Sequence, residues 1–338
     1  MSRQHRVLVA GAIGEEGMGV LAAAPGVEVE ELSNLSEAGL RSLLPEADAL
    51  ILRTARLSAA DIAVATRLKV VSRFGVGYDN VDVAALSARN IPLCIVGPVT
   101  NETVAEHTLY LMLAAARRGV ALDRAIREGD WAARDRLEKV ELLGRRLLLL
   151  GFGRIGQAVL PRAKAFGLTV RVHDPLVPDA VIRSAGAEPV ADWRSVLGQT
   201  DIISLHLPLL PETRHIIGPA EFAALGPGAI LVNAGRGGLV DEAALVEALD
   251  SGRVFAAGLD VFEEEPPSLD SPLLAHPRVV LTPHCAALTA EAIGRTGRQA
   301  ALHALQGLSD TLEPECVVNW DDIHGPERGY EGRPNGTG

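Results

Sequence analysis

The chain has 338 residues, 48% of them apolar, and its 43 acidic against 32 basic residues leave a formal charge of -11. That length exceeds what one compact core usually takes, so two domains are expected, and the apolar share is ample to bury both. The acidic excess repels phosphodiester backbones and anionic lipid surfaces, which excludes nucleic acid and membranes as partners.

The chain opens with "MSRQHRVLVAGAIGEEG", a basic start before a short apolar run. Glutamates follow at once, so Arg6 to Ala10 reads as a first β-strand rather than a signal peptide. "RVLVA", "VEVEEL", "DALILR", "LKVVSRF" and "IPLCIV" are strand candidates separated by segments long enough for crossover helices, which predicts α/β with a parallel sheet. Gly11, Gly14 and Gly17 lack dinucleotide spacing and an acidic partner at the next strand end, and read as a βα turn. At "GPVTNETVAEHTLYLMLAAARRG", Thr103 and Glu106 make a capping box before a run apolar nearly all round. A long buried helix from Val104 to Arg118 is expected, with His107 in a structural role. Strand signals resume at Arg146 with "RLLLLG", "TVRVHD", "DIISLHLP", "AILVNAG", "FAAGLDVF" and "RVVLTPH", a second α/β unit. Beyond it come a helix from about Thr289 to Leu308, a strand signal in "CVVNW", and a tail whose Gly, Pro and charge predict disorder.

No apolar stretch approaches the length needed to cross a bilayer. Cys94, Cys285 and Cys316 are odd in number and far apart, so neither a disulfide framework nor a paired zinc spacing can be drawn from them. No metal is expected, and a reducing cytoplasm fits.

Gly151, Gly153 and Gly156 give G-x-G-x-x-G directly after a strand and at a helix start, where bare backbone lets a pyrophosphate approach the helix amides. Eighteen residues past Gly156, Asp174 ends the next strand candidate, about where an acid accepts the ribose hydroxyls of NAD. Pro175, Leu176 and Val177 follow without a countercharge for a 2'-phosphate, which favours NAD over NADP.

In an open parallel sheet, ligands sit outside the carboxyl ends of the strands. Arg236, Glu265 and His284 each follow a strand candidate. A guanidinium can clamp a carboxylate, a histidine can carry a proton near neutral pH, and a glutamate can orient that histidine and favour its imidazolium. With nicotinamide these groups suit interconversion of a 2-hydroxy acid and a 2-keto acid. His206, also after a strand, reads either as lining the cofactor cleft or as a core or capping residue.

In these motifs the chain resembles the NAD-dependent D-isomer-specific 2-hydroxyacid dehydrogenases. "RFGVGYDNVD", "TVAEHTLYLMLAAARR", "ELLGRRLLLLGFGRIG", "DIISLHLPLLPETRHII", "LVNAGRGGLVDEAAL", "AAGLDVFEEEPP" and "LTPHCA" carry the likeness in family order, from about Leu50 to Leu308. The resemblance implies a Rossmann cofactor domain, residues 99–285, inserted into a flavodoxin-like substrate domain made of 1–98 and 286–320, with 321–338 as tail. It implies that Arg236, Glu265 and His284 are catalytic, and that Gly151, Gly153, Arg154, Ile155, Gly156, Asp174, His206, Thr213, Ala234 and Asp260 surround NAD. Asp260 would meet the nicotinamide carboxamide, and the amides of Val76 and Gly77 the substrate carboxylate. Formate dehydrogenases carry Gln in place of Glu265, which argues against that branch. "TPHCA" where "TPHIG" is common puts Cys285 beside the histidine, exposed to oxidation. The long helix would help form a homodimer.

Arg53, Arg56 and Arg73 fall at or just after strands of the first block, where a second anionic group could be held. 3-Phosphoglycerate is therefore the first substrate expected, with Arg53 and Arg73 binding it. Hydroxypyruvate or glyoxylate, and an NAD-responsive corepressor-type binding role without turnover, stand as alternatives. The serine-sensing domain appended to some relatives is not expected here.

Overall fold

Two parallel sheets, of five and seven strands, organise the chain in the computed structural model, which describes residues 4–32 and 36–325. The chain divides into two units, with boundaries at Thr100/Asn101 and Ala287/Leu288.

The first unit contains β1 (His5–Ala10), β2 (Val27–Glu31), β3 (Ala49–Leu52), β4 (Val70–Arg73) and β5 (Leu93–Ile95), in the order β2-β1-β3-β4-β5. Inner strands such as β3, "ALIL", are buried at every position, because helices cover both faces of a parallel sheet. The edge strand β2, "VEVEE", exposes Glu28 and Glu31, charges that blunt further pairing. The helix Ala290–Leu308 returns to this unit, capped by Thr289, whose hydroxyl accepts from Ala292 N–H. It lies against the helix Gly14–Ala22 so closely that a Cβ on Gly17 would stand 2.8 Å from the Gly297 carbonyl.

"CVVNW" forms no strand. A 3-10 turn, Pro314–Cys316, precedes a single antiparallel bridge from Val317 to Cys94. The Asn319 side chain then replaces the ladder, accepting from Leu93 N–H (2.9 Å) and donating to Ile91 carbonyl (3.0 Å). A short helix, Trp320–His324, occupies the start of the expected tail, and the rest of that tail from residue 326 lies outside the described residues.

The second unit, Asn101–Ala287, contains β6 (Arg146–Leu150), β7 (Thr169–His173), β8 (Glu188–Pro189), β9 (Ile202–Leu205), β10 (Ala229–Asn233), β11 (Val254–Leu259) and β12 (Val279–Leu281). Their order, β12-β11-β10-β9-β6-β7-β8, reverses direction between β6 and β9, the switch point where such sheets bind ligands. The buried helix runs Asn101–Arg117, three residues longer at its start than the capping-box reading gives. A 3-10 turn, Pro98–Thr100, leads straight into it, so Thr103 is buried in the first turn rather than capping. The helix lies directly on β11, where a Cβ on Gly258 would come within 2.8 Å of Leu111. No helix of the described residues is long and apolar enough to cross a membrane.

Candidate active site

The glycine turn follows β6 at the switch point. Gly151 adopts φ +98, and a Cβ there would stand 2.3 Å from the His206 carbonyl oxygen, just past β9. Gly156 is closed too, since its Cβ would meet the Gly151 oxygen at 2.4 Å. Gly153 differs: nothing lies within 4 Å of where its Cβ would be. It precedes the 12-residue helix Arg154–Ala165, which has no side-chain cap at its N-terminus. Exposed backbone amides at that end suit a pyrophosphate.

Asp174, just beyond β7, accepts from Phe152 N–H (2.7 Å) with one carboxylate oxygen and from Leu176 N–H (2.9 Å) with the other. The acid is thereby tied to the glycine turn, and the set fits an adenine dinucleotide. Arg154 is exposed, whereas Ile155 packs against the core and Ala234 follows β10 half-buried. His206 Nε2 lies 2.9 Å from Ser204 Oγ, and burial pushes its imidazole down to about 4, although part of the residue reaches the surface. It is therefore neutral near pH 7. Thr213 closes its own loop, donating to Pro208 carbonyl and accepting from Leu210 N–H, both at 2.7 Å.

Arg236, Glu265 and His284 follow β10, β11 and β12, three adjacent strands at one side of the sheet. His284 Nδ1 lies 2.7 Å from Glu265 Oε2, and Glu265 Oε1 accepts from Phe262 N–H at 3.1 Å. Burial pushes the Glu265 carboxyl up, but the His284 hydrogen bond and charge, Phe262 N–H and the Arg236 charge together hold it below its ordinary range. The Arg236 loop rests on the loop that carries Glu265, since a Cβ on Gly237 would overlap the Phe262 carbonyl at 1.9 Å. Asn233 shapes the same loop, donating to Arg236 carbonyl (2.8 Å) and accepting from Gly235 N–H (3.1 Å).

Behind His284 a buried polar network joins Asp260 and His107 through Thr282, a connection the sequence does not show. Asp260 is fully buried, and its carboxylate accepts from Thr282 Oγ1 (2.6 Å), Cys285 N–H and Ala286 N–H (both 2.9 Å). Burial raises that carboxyl, yet hydrogen bonds from His107, Thr282, Cys285 and Ala286 outweigh it and keep the group ionised. Its own carbonyl accepts His284 N–H at 2.7 Å, holding a residue whose φ of +48 is costly for any side chain but glycine. His107 extends the chain, its Nε2 lying 2.9 Å from Thr282 Oγ1. In this structure Asp260 thus fixes the His284 turn and presents no side-chain surface of its own. The available signal was a histidine on a buried helix facing a Thr-Pro-His segment. Burial and the Asp260 charge also raise the Cys285 thiol above its ordinary value.

In the first unit, Arg53 and Arg73 are half-buried at the ends of β3 and β4, and Arg56 is exposed. Arg53 Nη1 donates to Ala12 carbonyl (2.9 Å), and its guanidinium lies over the Phe74 ring at 5.3 Å. Arg73 Nη1 donates to the carbonyls of Leu52 (3.2 Å) and Phe74 (3.1 Å). Val76 and Gly77 lie half-buried in the loop after β4.

The NAD-binding domain of the D-isomer specific 2-hydroxyacid dehydrogenases, as a family model, matches residues 109–286. The D-3-phosphoglycerate dehydrogenase of Methanocaldococcus jannaschii is 43% identical over 297 residues, 88% of this chain and 56% of that protein. The chain therefore spans about half the length of the phosphoglycerate dehydrogenases it matches. The hydroxypyruvate reductase of Thermotoga maritima is 40% identical over 87% of this chain and 95% of its own length. Among solved structures, the TT0316 protein of Thermus thermophilus superposes with a TM-score of 0.84 at 36% identity, covering 93% of this chain and 99% of that one.

Proposed function

The chain belongs to the D-isomer specific 2-hydroxyacid dehydrogenase family, and we propose that it interconverts a D-2-hydroxy acid and its 2-keto acid with NAD. The observation that carries this reading is the 2.7 Å contact between His284 and Glu265, on the same sheet as the glycine turn and Arg236. Gly151, Gly153, Gly156 and Asp174 would hold NAD, which would supply the acceptor or donor for the hydride at C2. Glu265 engages Nδ1, so Nε2 is the nitrogen that exchanges a proton with the substrate hydroxyl or carbonyl oxygen. Arg236 binds the carboxylate and polarises the C2 oxygen. The Asp260 network keeps the imidazole placed through the turn that carries it.

3-Phosphoglycerate is the first substrate proposed, because the 43–44% identical relatives bear that activity in their names. A second reading, hydroxypyruvate or glyoxylate, draws on two observations. Arg53 and Arg73 already donate to backbone carbonyls, and a 40% identical relative is a hydroxypyruvate reductase. NADH oxidation against phosphohydroxypyruvate, hydroxypyruvate, glyoxylate and pyruvate, with NADPH alongside, separates them. Selectivity for the phosphorylated acid that falls in Arg53→Ala or Arg73→Ala supports the first reading. NADH binding without turnover of any acid would leave an NAD-responsive binding protein.

A homodimer goes with this reading. The helix Asn101–Arg117 and its neighbours expose Tyr110, Val120 and Phe166 around a hollow lined by Leu109, Leu113 and Ala114. Light scattering at the mass of one chain would remove the dimer. A cytoplasmic location is part of the same proposal, and cell fractionation checks it.

A further inference from the structure

The first unit carries a cluster that the proposed reaction does not use. Cys94 is fully buried in β5, and His303, on the helix Ala290–Leu308, is 3% exposed. Cys316 ends the turn Pro314–Cys316 and is partly exposed. Residues far apart in sequence meet here because Val317 bridges to Cys94 and Val318 N–H donates to Leu93 carbonyl (2.8 Å). One ligand atom of each, two thiol sulfurs and an imidazole nitrogen, lies within 4.8 Å of the other two.

The imidazole supplies an independent observation. Its Nε2 is met by the Gln299 amide at 2.7 Å, while its Nδ1 is buried with no partner in ordinary hydrogen-bond geometry among the described residues, and the ring interacts with the Cys316 thiol. A buried polar atom without a partner loses its hydration and gains nothing in return, which calls for a ligand or a role. Two sulfurs and an imidazole are a soft to borderline donor set, which selects zinc over magnesium or calcium. Tetrahedral zinc, with sulfur at about 2.3 Å and nitrogen at about 2.0 Å, spaces its ligands by roughly 3.5–3.8 Å, inside the limit observed.

We propose that Cys94, His303 and Cys316 bind a zinc ion, leaving a fourth position for water on the side where Cys316 reaches the surface. Two Zn–S bonds and one Zn–N bond form, both thiol protons pass to solvent, and no electron moves. The ion ties the returning C-terminal segment and the helix Ala290–Leu308 to the sheet edge at β5. Widely separated cysteines hid this site, since the ligand spacing exists only in the folded chain.

The test is zinc content by plasma mass spectrometry of untagged, dialysed protein, with cobalt(II) titration of chelator-stripped wild type. About one zinc per chain and tetrahedral cobalt bands with thiolate charge transfer are expected. Cys316→Ser, whose fold circular dichroism can check, should bind at least about tenfold more weakly, and Cys285→Ser should keep the metal. Three outcomes overturn the proposal: no stoichiometric zinc and no cobalt spectrum, metal lost in Cys285→Ser but kept in Cys316→Ser, or a Cys94–Cys316 disulfide in non-reducing peptide maps. The cobalt spectrum needs no variant, so a misfolded Cys316→Ser protein leaves the test intact.

Discussion

Two glycine turns open the two units, each between a first parallel strand and a helix, and their glycines meet different neighbours. In the first, Gly11 would place a Cβ 2.9 Å from Arg53 Cβ, Gly14 one 3.0 Å from Ile293, and Gly17 one 2.8 Å from Gly297. All three admit other parts of the same protein. In the second, Gly151 and Gly156 close on His206 and on each other, while Gly153 faces open space beside the Asp174-anchored backbone. A turn that seals a helix onto its neighbour and the turn proposed to receive a nucleotide therefore differ in their spacing, in the room left at the middle glycine, and in one carboxylate.

If chemistry belongs with the second turn, the largest effect comes from His284. His284→Ala should lower kcat for every accepted 2-keto acid by about 10²–10⁴-fold, while NADH affinity, read by fluorescence titration, stays close to wild type. Loss of NADH binding together with turnover would show that the histidine supports the cofactor turn as well, and would blur the contrast.

The first turn predicts a stability effect instead. A Cβ on Gly297 would fall 1.8 Å from Ile13 carbonyl oxygen, with backbone on both sides and no flexible side chain to yield. Gly297→Ala should cost about 3 kcal/mol or more and lower a calorimetric transition, with NADH still bound below it. A melting curve like wild type would mean that the two helices can part without cost.

Gly153→Ala reverses this pattern. With nothing within 4 Å of the added methyl, the fold should be unaffected. NADH binding should weaken by about tenfold, near 1.4 kcal/mol, because the methyl stands where the pyrophosphate is proposed to approach. Unchanged NADH affinity would remove the distinction between the two turns.

The parts of this arrangement differ in how far the sequence displays them. Strand runs such as "RLLLLG" are buried on both faces, so apolar continuity alone marks them. Glu265 and His284 were legible because strand ends in a parallel sheet converge, a rule that needs no coordinates. The support behind them was not. The family likeness places Asp260 at the nicotinamide carboxamide, and only packing shows it holding the His284 turn from inside. "CVVNW" has β composition, but Asn319 offers the backbone a side-chain alternative that composition does not reveal.

The smallest effect concerns acid sensitivity, and it tests whether the Glu265 contact is electrostatic as well as steric. The Glu265 carboxyl is lowered from an ordinary value of 4.5. A group depressed on folding contributes stability that is complete above its unfolded value and lost as pH falls through the folded one. Glu265 is 37% exposed and its partner His284 52%, so solvent screening limits that contribution to no more than about 1 kcal/mol. Glu265→Gln keeps the shape and can still hydrogen-bond the imidazole, but cannot ionise. Urea unfolding of the two proteins should therefore differ near neutral pH and converge toward about pH 3, below the carboxylate range. An equal gap at both pH values would assign the effect to packing or hydrogen bonding alone and remove the charge of Glu265 from the account of how His284 is held.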